Sequence, residues 1–154
     1  MEFAQREKNM GEMKNARNML TVDKANPVFP AHRHDMESKY VKRILQLDSE
    51  TVPGAEFYSD AKWIVPGDEA KEGILFFDSH THTWGELIGF FGYDYEDIQD
   101  LGAEIEFTVD NEKHLITKSF AAFIPAGVQH GPLVIRNVRK PIFHMTAGDT
   151  DTYK

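Results

Sequence analysis

The chain has no cysteine among its 154 residues. This excludes disulfides, thiolate metal sites and cysteine nucleophiles together, and leaves imidazole and carboxylate as the strong ligands it can offer. No stretch approaches the ~18 consecutive apolar residues of a membrane-spanning helix. The opening residues Met1-Glu2-Phe3-Ala4-Gln5-Arg6-Glu7-Lys8 lack the apolar core of a secretory signal. A cytoplasmic location and no membrane partner are therefore expected. Positive charge is scarce too: 17 Lys and Arg stand against 25 Asp and Glu, for a formal net charge of −8. That balance repels phosphate backbones, so nucleic acid is not an expected partner. Internal repeats and low-complexity tracts are likewise missing.

What is present suits one folded domain with an extension. The hydrophobic fraction of 41% and charged fraction of 27% are ordinary for a globular chain, and the length suffices for one core but not for two. Residues 1–38 differ from the rest, being rich in methionine and charge and carrying Asn26-Pro27-Val28-Phe29-Pro30. They read as an N-terminal arm. Phe3, Met10, Met13 and Leu20 fit one thin helical face that Gly11 interrupts. A barrel domain is expected over 39–148, with a short tail at 149–154.

From Tyr40 onward the texture is that of strands. Tyr40–Leu47 and Ala61–Val65 are bounded by Pro53-Gly54 and Pro66-Gly67. In Ala103-Glu104-Ile105-Glu106-Phe107-Thr108-Val109 the apolar residues alternate with polar ones, the pattern of a half-buried antiparallel strand. Asp110 to Lys113 turns that strand and Leu115-Ile116-Thr117 returns beside it. Phe120–Ile124 is apolar throughout and is expected to be covered on both faces. Leu133-Val134-Ile135 and Pro141–Met145 are expected as a last pair, joined across the basic loop from Arg136 to Lys140. The class is all-β, a barrel or sandwich.

The residues that carry chemistry lie in two short runs. His80-Thr81-His82-Thr83-Trp84-Gly85-Glu86 places His80, His82 and Glu86 at matching parity, so an extended backbone would present all three on one face. Pro125-Ala126-Gly127-Val128-Gln129-His130 adds an imidazole at a tight turn. Together these runs resemble the two motifs of the cupin superfamily: His-x-His-x3-Glu is intact as His80, His82 and Glu86, and Pro-x-Gly-x2-His as Pro125, Gly127 and His130. The surrounding positions depart from the family pattern. Gly73 stands one residue too far from His80, Gly92 one too near Glu86, Ser119 replaces a glycine and Val134 an asparagine.

The resemblance implies a cupin-like antiparallel β-barrel, or jelly roll, preceded by the partly helical N-terminal extension. It also implies that His80, His82, Glu86 and His130 bind one divalent transition metal. Iron, manganese, nickel and zinc all suit such a donor set, and five- or six-coordinate geometry leaves positions for water, substrate or dioxygen. The function implied is that of a metal-dependent enzyme acting on a small organic molecule, of dioxygenase or isomerase/lyase type. The alternative is a non-catalytic cupin module that binds or senses a small ligand. A homodimer is expected, because a small barrel has a sheet edge to protect.

Other residues have plainer readings. His32-Arg33-His34, with Asp35 and Glu37, reads as a solvated or locally hydrogen-bonded loop, and His114 as exposed. His144 is either a satisfied core histidine or a residue backing a ligand, and Trp84 either lines the pocket mouth or packs in the core. The run from Gly92 to Gly102 is either a lid or a solvated hairpin loop. Arg136, Arg139 and Lys140 read as a solvated basic loop, and no charged substrate clamp is evident.

Overall fold

Alternating strand sequences dictate the architecture of the computed structural model, which describes residues 2, 13–25 and 29–153. In chain order the strands are β1 (Val41–Leu47), β2 (Tyr58–Ile64), β3 (Ile74–Phe77), β4 (Glu86–Gly92), β5 (Asp100–Val109), β6 (Glu112–Lys118), β7 (Phe120–Ile124), β8 (His130–Arg136) and β9 (Ile142–Gly148). They form two antiparallel sheets, one ordered β1-β2-β9-β4-β7 and the other β3-β8-β5-β6. The inward residues of both sheets interleave in one core that includes Ile64, Phe76, Ile88, Ile105, Phe107 and Ile135. Each such large side chain contributes about 1.5–3 kcal/mol by leaving water.

β5 behaves as its alternation demands. Ala103, Ile105 and Phe107 are buried, Glu104 is exposed and Glu106 half-buried. Asp110 and Asn111 turn it with φ of 47° and 65°, the left-handed pair that a tight hairpin into β6 requires.

Two expectations need correction. Phe120–Ile124 is not covered on both faces: β7 is the edge of its sheet, and Phe123 is 72% exposed. The last two strands do not pair with each other. β8 lies between β3 and β5, whereas β9 lies between β2 and β4 in the opposite sheet, so the loop from Arg136 to Lys140 crosses between sheets. Of the helical face expected of the arm, Phe3, Met10 and Gly11 lie outside the described residues; Glu2 is helical, and short 3-10 turns stand at Ala16–Asn18 and Asp35–Glu37 before β1 and at Glu69–Lys71 after β2.

Candidate metal centre

His80, His82, Glu86 and His130 come together, but not by strand parity. Only Glu86 belongs to β4; residues 81–85 lie outside any strand, and the chain bends at 83–84. His80 instead forms an isolated antiparallel bridge with His130. The His80 amide donates to the His130 carbonyl at 2.9 Å, and the His130 amide returns to the His80 carbonyl at 3.0 Å. The Pro125 turn supplies a second tie, Gly127 N–H to the His82 carbonyl at 2.8 Å. Gly131, at φ 104°, lets the chain follow His130 closely, since a Cβ there would stand 2.5 Å from the Asp78 carbonyl oxygen. The two runs are thus stapled by their backbones. One donor atom from each of the four side chains lies within 4.8 Å of all the others.

The electrostatics of this group call for a cation. His80 Nδ1 lies 2.7 Å from the Asp78 carbonyl oxygen, and His130 Nδ1 lies 2.9 Å from that of Val128. Carbonyls only accept, so both Nδ1 atoms carry a hydrogen, which leaves Nε2 as the atom that a neutral imidazole offers to a metal. His130 Nε2 is buried without a hydrogen-bond partner, although Glu86 Oε1 stands 3.2 Å away. At that distance the pair needs a positive charge between nitrogen and oxygen, which either a proton or a bound metal ion supplies. His80 Nε2 faces His82 Nε2 at 3.1 Å, and His82 Nε2 lies 3.7 Å from Glu86 Oε2. Burial pushes the His80 imidazole down to about 3, which keeps it neutral as a ligand must be. The donor set therefore fits a divalent transition metal.

Fold comparison agrees with the two-sheet architecture. An oxalate oxidase structure in complex with glycolate superposes with a TM-score of 0.51 at 12% identity, over 93% of this chain and 64% of that one. This barrel therefore spans a little under two thirds of the oxidase chain. A sugar phosphate isomerase from a cupin superfamily, from Silicibacter pomeroyi, aligns with a TM-score of 0.48 at 16% identity over 81% of this chain and 68% of its own. The chain has a cupin-type fold. At such identities the likeness is one of fold, not of activity. No protein-family model matches the chain, and neither does any curated protein.

The cupin barrel surrounds the four residues with groups that the sequence only partly announced. Trp84 is buried and stacks on His82 with ring centroids 4.1 Å apart, so it packs against a candidate ligand. Of the two readings of His32-Arg33-His34, a solvated or a locally hydrogen-bonded loop, the second describes the Arg33–Asp35 and His34–Glu37 contacts, and longer-range bonds add to them. Arg33 bridges to Phe77, and the His32 carbonyl and His34 amide bond to Asp78 and Phe76, which extends the β3 edge. His32 stacks on His80 at 3.8 Å. Arg33 turns inward onto Asp35 at 2.9 Å and Asp60 at 3.3 Å, and Lys62 meets Asp35 at 3.0 Å and also binds Asp60. Asp35, Asp60 and Lys62 are all buried. Burial pushes the Asp35 carboxyl up, but Lys62 and Arg33 outweigh it and hold it well below the usual carboxylate range.

A cavity of about 20 Å³, room for roughly one water, joins this charged network to the cluster, with His80, Glu86, Lys62, His144 and Tyr153 in its wall. The sequence carried one signal for it: Asp60 and Lys62 share the parity of Tyr58 and Ile64, which places opposite charges two residues apart on the buried face of β2. Tyr153 had no signal at all.

The remaining expectations resolve simply. His114 is exposed. His144 is buried, with its Nδ1–H on the Gly89 carbonyl at 2.8 Å and its ring stacked on Phe90, and it lines the cavity without joining the cluster. Arg136 pairs with Glu106 and Lys140 with Asp94, as a solvated loop would. The Gly92 to Gly102 run leaves the far end of β4 from Glu86. Six residues of strand place it about 20 Å from the cluster, so it is no lid over this site. Ser119, standing where the family pattern has glycine, ties that run down. It accepts from Gly92 N–H at 2.9 Å and donates to the Ile98 carbonyl at 3.1 Å.

Proposed function

We propose that the chain is a metal-dependent enzyme acting on a small organic molecule, with His80, His82, Glu86 and His130 holding one divalent transition metal. The observation that carries this is the convergence of four donor atoms within 4.8 Å of one another, with His130 Nε2 buried and 3.2 Å from Glu86 Oε1. Iron at such a site supplies dioxygenase chemistry, whereas manganese, nickel or zinc supplies the Lewis acidity for isomerase or lyase chemistry. The protein's own part is positioning and charge. Asp78 and Val128 carbonyls fix two imidazoles in the ligating tautomer. Three neutral imidazoles and one carboxylate leave a divalent ion with net positive charge, which favours an anionic or carbonyl oxygen on the substrate. Lys62, buried in the cavity wall, offers a third N–H beyond its bonds to Asp35 and Asp60. The cavity's size restricts the part of the substrate that reaches the ion to a few atoms.

The test is metal content. Protein purified without added metal and measured by mass spectrometry should hold close to one equivalent of a first-row metal. His82→Ala and Glu86→Ala should hold at least tenfold less. Unchanged content in both variants would refute the site. A screen for oxygen consumption and metabolite turnover, with each ion restored in turn, then separates oxygenase from Lewis-acid chemistry. Metal-replete protein without turnover would instead favour the ligand-binding module.

A further inference from the structure

The segment after β9 brings Tyr153 against the cluster. Its hydroxyl oxygen stands 3.3 Å from His82 Nε2. The four candidate ligands are spaced alike: 3.1 Å for His80 to His82, 3.2 Å for His130 to Glu86 and 3.7 Å for His82 to Glu86. Atoms bound to one first-row ion at about 2.0–2.2 Å stand roughly 3.0–3.6 Å apart when adjacent, a range that holds the first two spacings and that the third just exceeds. The phenol oxygen's distance from His82 Nε2 falls inside the same range, as well as within hydrogen-bond reach.

The ring is not there by chance of a mobile tail. It packs on Tyr58 at 5.1 Å, on Trp84 at 5.5 Å and on His82 at 5.1 Å, with the Arg33 guanidinium 4.9 Å from its centroid. The hydroxyl has a second neighbour, His32 Nε2 at 2.8 Å, and His32 is itself stacked on His80. A hydrogen bond from the phenol to His32 turns the oxygen's lone pairs away from His32, toward the side where His82 Nε2 lies. Tyr58, by contrast, spends its hydroxyl on Asp60 and Thr146.

Building on the metal reading above, we propose that the Tyr153 phenol oxygen is a fifth protein donor to the ion, with His32 as the residue that positions it. The consequence for substrate is direct. Five protein donors leave a six-coordinate ion a single open position, so a substrate either binds through one oxygen or displaces Tyr153 in order to chelate.

Cobalt(II) serves as the probe, because its visible absorption reports coordination number. Metal-free protein is titrated with cobalt, and band position, band intensity and affinity are compared among variants. Tyr153→Phe, which retains the packed ring, should bind cobalt at least tenfold more weakly and with an altered spectrum. His32→Gln should alter the spectrum in the same direction to a smaller extent. Tyr58→Phe should match the native protein in both respects. A Tyr153→Phe spectrum superimposable on the native one, with affinity within twofold, overturns the fifth donor while leaving the four-residue site intact. Native protein that takes up no cobalt overturns the metal reading and this inference with it.

Discussion

His144 lies fully inside the barrel, with its one N–H committed to the Gly89 carbonyl and its ring between Phe90 and Phe76. Burial, and then the Lys62 charge, pushes its pKa down to about 3 from an ordinary 6.5. Below pH 6.5 the unfolded chain takes up a proton that the folded chain refuses. Stability is therefore fully present above pH 6.5 and declines as pH falls toward 3, by at most about 1.4 kcal/mol per pH unit for each such group. His80, also held near 3 by burial, acts in the same sense but more weakly, because it is part-exposed and solvent screens it. His144→Phe should cost about 1–3 kcal/mol at pH 7, because the Gly89 carbonyl loses its donor. It should also flatten the fall in stability between pH 6.5 and 3. Urea unfolding of both proteins at pH 7, 5.5 and 4 measures this, and equal slopes would place the protonation elsewhere. At this scale the sequence revealed the four candidate ligands, because their spacing is a local pattern. Arg33, Asp35 and Tyr153 stayed hidden because partners far along the chain decide their burial. His32 and Tyr153, for example, meet across 121 residues.

Strands were legible where side chains alternate and a turn is local, as in β5 and β6 with Asp110 and Asn111 between them. They were less so where position in the sheet decides exposure. The apolar run of β7 suggested a strand covered on both faces, yet it forms an edge whose Phe123 faces outward opposite the part-exposed Leu87 of β4. An apolar edge of this kind is a template for pairing unless something covers it. A second copy of the chain is the proposed cover, giving a homodimer across β7. Sedimentation should show a dimer for the native chain, and Phe123→Lys should shift it toward monomer at least tenfold in dissociation constant. A native chain that sediments as a monomer at high concentration rules the arrangement out.

At the scale of the whole molecule, the candidate site is a clamp between layers. Glu86 opens β4 in the five-stranded sheet, His130 opens β8 in the four-stranded one, and His80 is bridged to His130. An ion held by both sheets binds the folded barrel and not the separated strands, so it stabilises the fold by mass action. At a free metal concentration one hundred times the dissociation constant, the gain is about 2.7 kcal/mol. For a domain of this size that corresponds to a rise in Tm of roughly 5–10 °C. Calorimetry should show Tm falling on treatment with a chelator and recovering when metal is restored. Glu86→Ala should give one Tm in all three conditions, because the carboxylate ligand is gone and the bound ion with it. A chelator-induced drop of the same size in Glu86→Ala would locate the stabilising ion elsewhere in the barrel, and no drop in the native chain would mean that no bound ion contributes to its stability.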